Sequence, residues 1–327
     1  MKPRRMSTAV GWFVAKAAIS AAFLYFVLHR IDLRSISDDL RSLRPFWVCM
    51  ALLQLCLIPA LGGARWKLVL QALGLSLKFV SATRLFWIAM VFNQMLPSVS
   101  GGDAIRTFLA WRAGLPLEKS IHSVILERIA VLLTLVALAV GMQLWRGEPL
   151  PVTSAHTWLP VLLLLGLLGF VALLCADRIA LLLPAWPPLT MISRLSVDAR
   201  RVFLTPCGLW LLLLSLATHL NFSLASLWIG KSLGLPLGLP EYVYLVAIVT
   251  LITTLPVSIG GWGVREGATV VLFGGIGVLA HSALSFSVLS GIGVAVVSLA
   301  GLPFLVTAKS SGALAPTMGE TAHVPII

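Results

Sequence analysis

The sequence predicts an all-α integral membrane protein, arranged as an inverted repeat of about six full spans plus two opposed re-entrant helical hairpins. Three observations lead to this prediction. Hydrophobic residues make up 59% of the 327-residue chain and charged residues 11%, against about 25% charged residues in soluble domains. An eleven-residue motif occurs twice, once in each half of the chain. Basic residues are distributed unevenly among the loops.

Nine apolar runs approach the length of about 20 residues that a membrane-spanning helix needs. They cover residues 9–28, 46–64, 79–96, 121–144, 158–176, 208–230, 241–256, 266–280 and 282–307. Arg65, Trp66 and Lys67 follow the second run, and we expect them to anchor it at the cytoplasmic interface. His219 and Asn221 lie inside the sixth run, where we expect interhelical hydrogen bonds. A proton relay through His219 is the alternative.

The duplicated motif has the form L-P-x-x-x-G-G-x-x-x-R and occupies residues 96–106 and 255–265. Proline removes a backbone donor, so each apolar helix should end at its proline. Non-helical backbone at membrane depth survives only where it is buried in protein or lines a wet cavity. Paired interruptions in two halves of a chain point to a transporter's binding site, the alternative being two ordinary surface loops. The corresponding residues are Pro97 and Pro256, Gly101–Gly102 and Gly260–Gly261, and Arg106 and Arg265.

Loop charges predict the topology. Segments 1–8, 65–84, 106–120, 177–207 and 308–327 carry 15 Lys and Arg residues, whereas the four other connecting segments carry 7. The positive-inside rule places the richer set in the cytoplasm, together with both termini. Run 79–96 then has cytoplasmic loops on both sides, so it should enter and leave the membrane on one side. Run 241–256 should do the same from outside, with 266–280 as its return arm.

This plan gives one transmembrane domain over residues 1–307. Its first repeat covers about 9–145 and its second about 158–307. Residues 308–327 are rich in small and polar residues and should form a disordered tail. Loop 177–207 contains an amphipathic stretch, with Ile192 and Val202 on an apolar stripe and Asp198 on a polar one, which predicts a helix on the cytoplasmic surface.

Few ionisable residues lie within or beside the apolar runs, and each costs about 2.5–3.5 kcal/mol at the membrane centre. We expect Arg106 and Arg265 to bind a phosphate headgroup, because a guanidinium offers it several donors at once. Helices restarting after the glycines, Gly101, Gly102, Gly260 and Gly261, would add their positive N-terminal ends to this substrate site. The charge partners or coupling groups are Asp103, Glu127, Arg128 and Glu266. Alternatively, these charges pair only with each other and lock the two halves together.

Two polar residues beside the helix breaks are further candidates. Asn93 lies one turn before Pro97, where it would satisfy carbonyls freed by the break or contact substrate. Ser258 would cap the restarted helix or contact substrate. No nucleophile motif or metal-ligand spacing occurs, so we expect no catalytic residue, cofactor or metal. The net charge of +12 reflects the basic loops and does not indicate nucleic-acid binding.

These residues resemble a known family, the flippase-like transmembrane region of bacterial lysylphosphatidylglycerol synthetases and its stand-alone relatives. The resemblance implies a multi-pass protein of the bacterial inner (plasma) membrane that moves phospholipids or related amphiphiles between leaflets. In two-domain relatives a C-terminal soluble domain performs aminoacyl transfer. This chain ends after its last run, so we expect no lysyl transfer from it. The matching pieces are Arg65-Trp66, Asn93 to Arg106, Glu127-Arg128 and Leu255 to Gly267.

The leading hypothesis is a lipid translocator that binds an anionic phospholipid or polyprenyl-phosphate-type headgroup in a mid-membrane cavity, and that is not an enzyme. Two alternatives stay open. A glycosyltransferase with a polyprenyl-phosphate donor would need an external acidic residue, and Asp32, Asp38 and Asp39 form the one such cluster in the sequence. A scaffold that moves nothing would instead have a lipid-modifying enzyme as its partner.

Overall fold

A computed structural model describes residues 38–95, 101–147, 155–180, 187–254 and 261–304. Within these ranges the regular elements are helices and there is no strand. Five helical segments are long and apolar enough to cross a membrane, namely Pro45–Ala72, Leu117–Arg146, Thr157–Leu174, Pro206–Ser232 and Ala280–Phe304. The prediction of an all-α multi-pass membrane protein is therefore confirmed. The first apolar run, 9–28, and the tail, 308–327, lie outside the described residues.

The described part of the first half contains five helices. The second apolar run forms two helices instead of one, because Pro59 cannot donate a hydrogen bond to the carbonyl of Leu55. The second helix also continues to Ala72, eight residues beyond the predicted end of the apolar run. The five helices are α1 Pro45–Leu55, α2 Ile58–Ala72, α3 Phe79–Met95, α4 Gly101–Arg112 and α5 Leu117–Arg146.

In the second half the structure describes seven helices: α6 Ala155–Leu174, α7 Ala176–Ala180, α8 Pro187–Phe203, α9 Pro206–Ser232, α10 Leu239–Thr254, α11 Val264–Gly274 and α12 Ala280–Leu299. Helix α6 presents exposed leucines such as Leu164, Leu165 and Leu168. In water such a continuous apolar face would drive association, whereas in a bilayer it contacts lipid. The largest group of buried apolar side chains lies among α5, α9, α10, α11 and α12 and includes the packed rings of Tyr242, Phe273 and Phe286.

The helix pairs α3–α4 and α10–α11 each have two arms that pack against each other. A copy of the duplicated motif, residues 96–106 or 255–265, connects the two arms of each pair. The contacts of the halves also correspond: α2 packs on α3 as α9 packs on α10, and α4 packs on α5 as α11 packs on α12. Across the halves, α3 contacts α12 as α10 contacts α5, and α9 contacts both α1 and α2. These particular helix contacts therefore correspond between the two halves.

Helix α8 confirms the predicted amphipathic helix in loop 177–207. Ala199 and Val202 on its apolar stripe are fully buried. Asp198, on the polar stripe, lies over the start of α5. There the buried Asp198 carboxylate contacts His122 Nδ1 at 2.7 Å and Lys119 Nζ at 2.5 Å.

A second ion pair holds α8 against α7. Arg200 Nη1 donates a hydrogen bond to Asp177 Oδ1 at 2.6 Å, and Nη2 donates to Oδ2 at 2.5 Å. These hydrogen bonds hold the pKa of Asp177 below its ordinary value. The surface helix is therefore fixed to the bundle by charged contacts at two of its faces.

The start of α4 lies directly against α3. The Gly102 N–H donates a hydrogen bond of 2.8 Å to Asn93 Oδ1. A Cβ atom added to Gly102 would overlap the carbonyl oxygen of Ala89 and lie 2.6 Å from Asn93 Oδ1. This close approach explains why glycine occupies the position, and it places the N-terminus of α4 beside α3.

We therefore expect Gly102→Ala to lower the free energy of unfolding by about 1–3 kcal/mol, the usual cost of overpacking. Gly141→Ala is the matched control, because a Cβ on Gly141 of α5 meets nothing within 4 Å. That change should be neutral or stabilise the helix by about 0.5–1 kcal/mol. Unfolding by SDS titration in mixed micelles measures both, and equal stability of the two variants would contradict the close contact.

Candidate functional site

The first motif opens a cluster of charged side chains from three helices. Asp103 and Arg106 lie in the first two turns of α4, Glu127 and Arg128 lie on α5, and Arg65 lies on α2. Arg65, Arg106 and Glu127 are 4%, 1% and 1% exposed. Because burial makes charges costly, each must have partners here.

Glu127 lies between two guanidinium groups. Its Oε1 accepts hydrogen bonds from Arg65 Nη2 at 3.1 Å and Arg65 Nε at 3.3 Å. Its Oε2 lies 2.5 Å from Arg106 Nη1. That contact is an ion pair without hydrogen-bond alignment, because neither atom has a hydrogen-bond partner among the described residues. Arg65 Nη1 also donates to Thr218 Oγ1 at 2.7 Å, which ties the cluster to α9.

The Arg106 guanidinium lies between two aromatic rings. Its Cζ is 4.9 Å from the centroid of the Trp66 ring and 5.1 Å from that of Phe86. The Trp66 indole is in turn oriented by a hydrogen bond from its Nε1 to Ser123 Oγ at 3.0 Å. The Nε of Arg106 has no hydrogen-bond partner among the described residues. The guanidinium is thus held by two aromatic contacts while some of its donors are unused.

Asp103 extends the cluster towards its more exposed side. Its Oδ1 accepts from Arg106 Nη2 at 3.2 Å and its Oδ2 from Arg128 Nε at 2.6 Å. The Arg128 side chain is 39% exposed. Three guanidiniums therefore face two carboxylates, which leaves one positive charge in excess.

The second motif opens a smaller cluster at the start of α11. The buried Glu266 accepts a hydrogen bond from the Gly263 N–H at 2.5 Å and so caps its own helix. Its Oε1 accepts from Arg265 Nη2 at 2.6 Å and from Ser287 Oγ at 3.4 Å. The Arg265 Cζ lies 4.5 Å from the centroid of the Trp262 ring. Here one guanidinium faces one carboxylate, so the described charges balance.

Helix α12 holds the Arg265 side chain from the other side. A Cβ added to Gly291 would overlap Arg265 Nη2 and lie 2.6 Å from Cζ. The absence of a side chain at Gly291 is therefore what leaves room for the guanidinium. Arg265 is 18% exposed at its side chain, more than Arg106.

The structure brings Arg106, Asp103, Glu127 and Arg128 together, whereas Arg265 pairs with its own neighbour Glu266. The Asn93 side-chain oxygen accepts a hydrogen bond from the Gly102 N–H, and so it caps the restarted helix. Gly261 adopts a φ of 81°, a backbone conformation that favours glycine. Pro97, Pro256, Ser258 and Gly260 lie outside the described residues.

Arg65 and Trp66 are the residues that sequence reasoning misplaced. Both were expected at the cytoplasmic interface, but both are buried and contact Glu127 and Arg106. The signal that could have found them is their place in the pieces that carry the family resemblance. His219 and Asn221 make the expected interhelical contacts, His219 Nε2 to the Val131 carbonyl at 3.0 Å and Asn221 Nδ2 to the Gln54 carbonyl at 3.1 Å.

The external acidic cluster is partly structural. Asp39 Oδ2 accepts a hydrogen bond of 2.9 Å from Ser285 Oγ at the start of α12. The Asp38 side chain is 74% exposed, and Asp32 lies outside the described residues. Neither Asp38 nor Asp39 is part of the arginine cluster around Arg106 or of the one around Arg265.

The arrangement as a whole is suited to an anion. Buried guanidiniums bind phosphate through paired donors, and the excess charge of the first cluster favours a negative ligand. The N-terminal ends of α4 and α11 lie beside Asp103 and Glu266 and carry partial positive charge.

Comparison with known proteins gives one family match. A family model described as Lysylphosphatidylglycerol synthase TM region matches residues 13–301. No curated protein matches the chain.

Proposed function

Because this chain belongs to the Lysylphosphatidylglycerol synthase TM region family, its role concerns membrane lipids, and we propose that it translocates an anionic lipid between the leaflets. The lipid carries a phosphate headgroup, of the phospholipid or polyprenyl-phosphate type. The observation that supports this proposal is the excess of one positive charge in the buried cluster around Arg106, which a headgroup phosphate would neutralise.

The binding step is an exchange of partners at Arg106. In the described state Arg106 Nη1 faces Glu127 Oε2 without hydrogen-bond alignment. A phosphate oxygen that takes the place of Glu127 Oε2 would accept a hydrogen bond from Arg106 Nη1. Glu127 would keep its two hydrogen bonds from Arg65, so release of Arg106 would not leave a buried carboxylate alone. Glu127 thus acts as the counterion of the empty site.

Two features hold Arg106 ready for this exchange. The rings of Trp66 and Phe86 restrict the guanidinium to one plane, which reduces the entropy lost on binding. Helix α4 begins at Gly101, and its N-terminal N–H groups favour an anion. Headgroup binding at helix starts of this kind is expected where helices are interrupted at membrane depth.

We further propose that the two halves form an inverted repeat with two opposed re-entrant hairpins, α3–α4 and α10–α11. The correspondence of helix contacts between the halves supports this arrangement. The two arginines would then reach the headgroup from opposite leaflets, Arg106 from the cytoplasmic side and Arg265 from outside. Opposed gates around one site are what alternating access requires.

The remaining assignments follow from the loop charges and the family. We place the protein in the bacterial inner membrane with both termini in the cytoplasm. Its direct partners are membrane lipids, and a lipid-modifying enzyme would supply or consume the lipid that it moves. In the empty state Glu266 serves as the charge partner of Arg265, and Arg128 as that of Asp103.

The second arginine gives a test with an internal control. Translocation is measured in proteoliposomes that contain an acyl-labelled fluorescent phosphatidylglycerol, by dithionite reduction of the label in the outer leaflet. Arg265→Ala should slow translocation by about tenfold or more, because one charge-assisted hydrogen bond to phosphate contributes about 1.5–3 kcal/mol.

Gly291→Ala should slow translocation in the same direction, because its methyl group would displace the Arg265 guanidinium. Gly274→Ala, where a Cβ meets nothing within 4 Å, should leave the rate unchanged. If folded Arg265→Ala and Gly291→Ala proteins both translocate at the wild-type rate, the second hairpin has no part in headgroup binding.

A further inference from the structure

An apolar groove lies on the bundle between α1, α9 and α12, away from both arginine clusters. It encloses about 120 Å³. Its walls are almost wholly hydrocarbon, apart from Ser232. The lining residues include Val48, Leu52, Leu55, Ile229, Leu289 and Val296. Val296 is 50% exposed, so the groove is open at α12.

The positively charged side chain of Lys231 lies at one end of this groove. The rings of Trp47 and Trp228 stack with centroids 5.1 Å apart, and Lys231 Nζ lies 4.9 Å from each. Trp47 precedes the lining residue Val48, and Lys231 precedes Ser232. Among the residues that the structure describes, no carboxylate pairs with Lys231.

Arg44 adds a second positive charge at the same end. Its N–H donates a hydrogen bond of 3.2 Å to the Ser232 carbonyl, which joins the start of α1 to the end of α9. The Arg44 side chain is exposed. Two cations and two tryptophans at the end of an apolar groove are typical of the depth at which lipid headgroups lie. There aromatic rings and basic side chains contact the lipid phosphates.

The groove is separate from the Arg265 cluster even though both use α12. Gly291 contacts the Arg265 guanidinium, whereas Gly293 lines the groove. Residues two positions apart on an α-helix are rotated by about 200° around its axis. Gly291 and Gly293 therefore lie on nearly opposite faces of α12. Occupation of the groove therefore leaves the Arg265 guanidinium in place.

We propose that this groove binds one phospholipid with an anionic headgroup, as a site distinct from the translocation site. One acyl chain lies along the groove between α1, α9 and α12. The headgroup phosphate lies against Lys231 at the level of Trp47 and Trp228. Lys231, which has no carboxylate partner among the described residues, selects an anionic lipid over a zwitterionic one. The zwitterionic headgroup would bring its own cation close to Lys231 and Arg44.

The test counts lipids on the purified full chain by native mass spectrometry after titration with palmitoyl-oleoyl phosphatidylglycerol or phosphatidylcholine. Lys231→Gln should weaken phosphatidylglycerol binding about fivefold, the effect of one basic residue near a lipid surface, and should remove the preference over phosphatidylcholine. Val296→Trp should fill the groove and remove one bound molecule of either lipid. Ile292→Phe gives a second, smaller filling change at an exposed position.

Two matched controls should bind as the wild type does. Lys78→Gln removes an exposed lysine elsewhere, and Leu299→Trp adds a ring to an exposed position of α12 outside the groove lining. Arg106→Ala should also keep the groove lipid, which separates this site from the translocation site.

Three outcomes would overturn the proposal. The first is unchanged phosphatidylglycerol binding in both Lys231→Gln and the groove-filling variants. The second is equal loss in the controls. The third is displacement of phosphatidylglycerol by soluble glycerol phosphate at equal concentration, which would mean that a free phosphate suffices and the acyl chain is not held.

Discussion

Replacement of Arg106 by alanine should slow translocation of phosphatidylglycerol by about 10- to 100-fold. The expected size follows from the loss of charge-assisted hydrogen bonds to the phosphate, which contribute about 1.5–3 kcal/mol each. The variant should still fold. Glu127 would remain paired with Arg65 and Asp103 with Arg128, so the four remaining charges balance.

Two further substitutions make this experiment specific. Arg106→Lys keeps the charge but lacks the planar fork that fits between Trp66 and Phe86, so its rate should lie between those of the wild type and the alanine variant. Arg112→Ala removes an exposed arginine from the last turn of the same helix and should not change the rate. A folded Arg106→Ala protein with wild-type translocation would eliminate the proposed function.

Replacement of Glu127 by glutamine should lower the free energy of unfolding by about 3–5 kcal/mol. Glu127 is the carboxylate that Arg65 and Arg106 share, and removal of one partner from a buried ion pair leaves an uncompensated charge of about that cost. The cluster would then hold an excess of two positive charges. SDS titration in mixed micelles, followed by circular dichroism, measures the loss.

The double variant Arg65→Met/Glu127→Gln provides the check on this interpretation. It removes one charge of each sign and places an apolar side chain of similar length at position 65, so it should recover a large part of the stability. If Glu127→Gln were as stable as the wild type, or if the double variant were less stable than the single one, the described pairing of Glu127 would be wrong.

Local pattern was sufficient to predict the helical class. Apolar length identifies a span because every backbone polar group must be satisfied within hydrocarbon. The prolines and glycines of the duplicated motif act on their own helix, so their effect can be inferred from neighbouring residues. The ionisable residues near the apolar runs were candidates from the sequence alone. They include both ion pairs of the first cluster, Arg106 with Glu127 and Asp103 with Arg128.

The role of Arg65 could not be predicted in this way. Its position at the end of an apolar run is equally suited to an interface anchor and to a buried ion pair. The choice depends on Glu127, 62 residues further along the chain, and on the fold that brings α2 and α5 together. The contacts of Asp198 could not be predicted for a related reason, because a helical stripe tells which side of α8 is polar and not whether α5 covers that side.

The charge imbalance around Arg106 has an electrical consequence. An empty first cluster carries one net positive charge, and a headgroup with one negative charge cancels it. Movement of the loaded cluster across the field would require no electrical work, whereas return of the empty one would gain or cost about 2.3 kcal/mol per 100 mV for each charge that crosses the full field. In the proposed translocator, the membrane voltage would therefore act on the step in which the empty site returns. It would favour one of the two orientations of the empty protein.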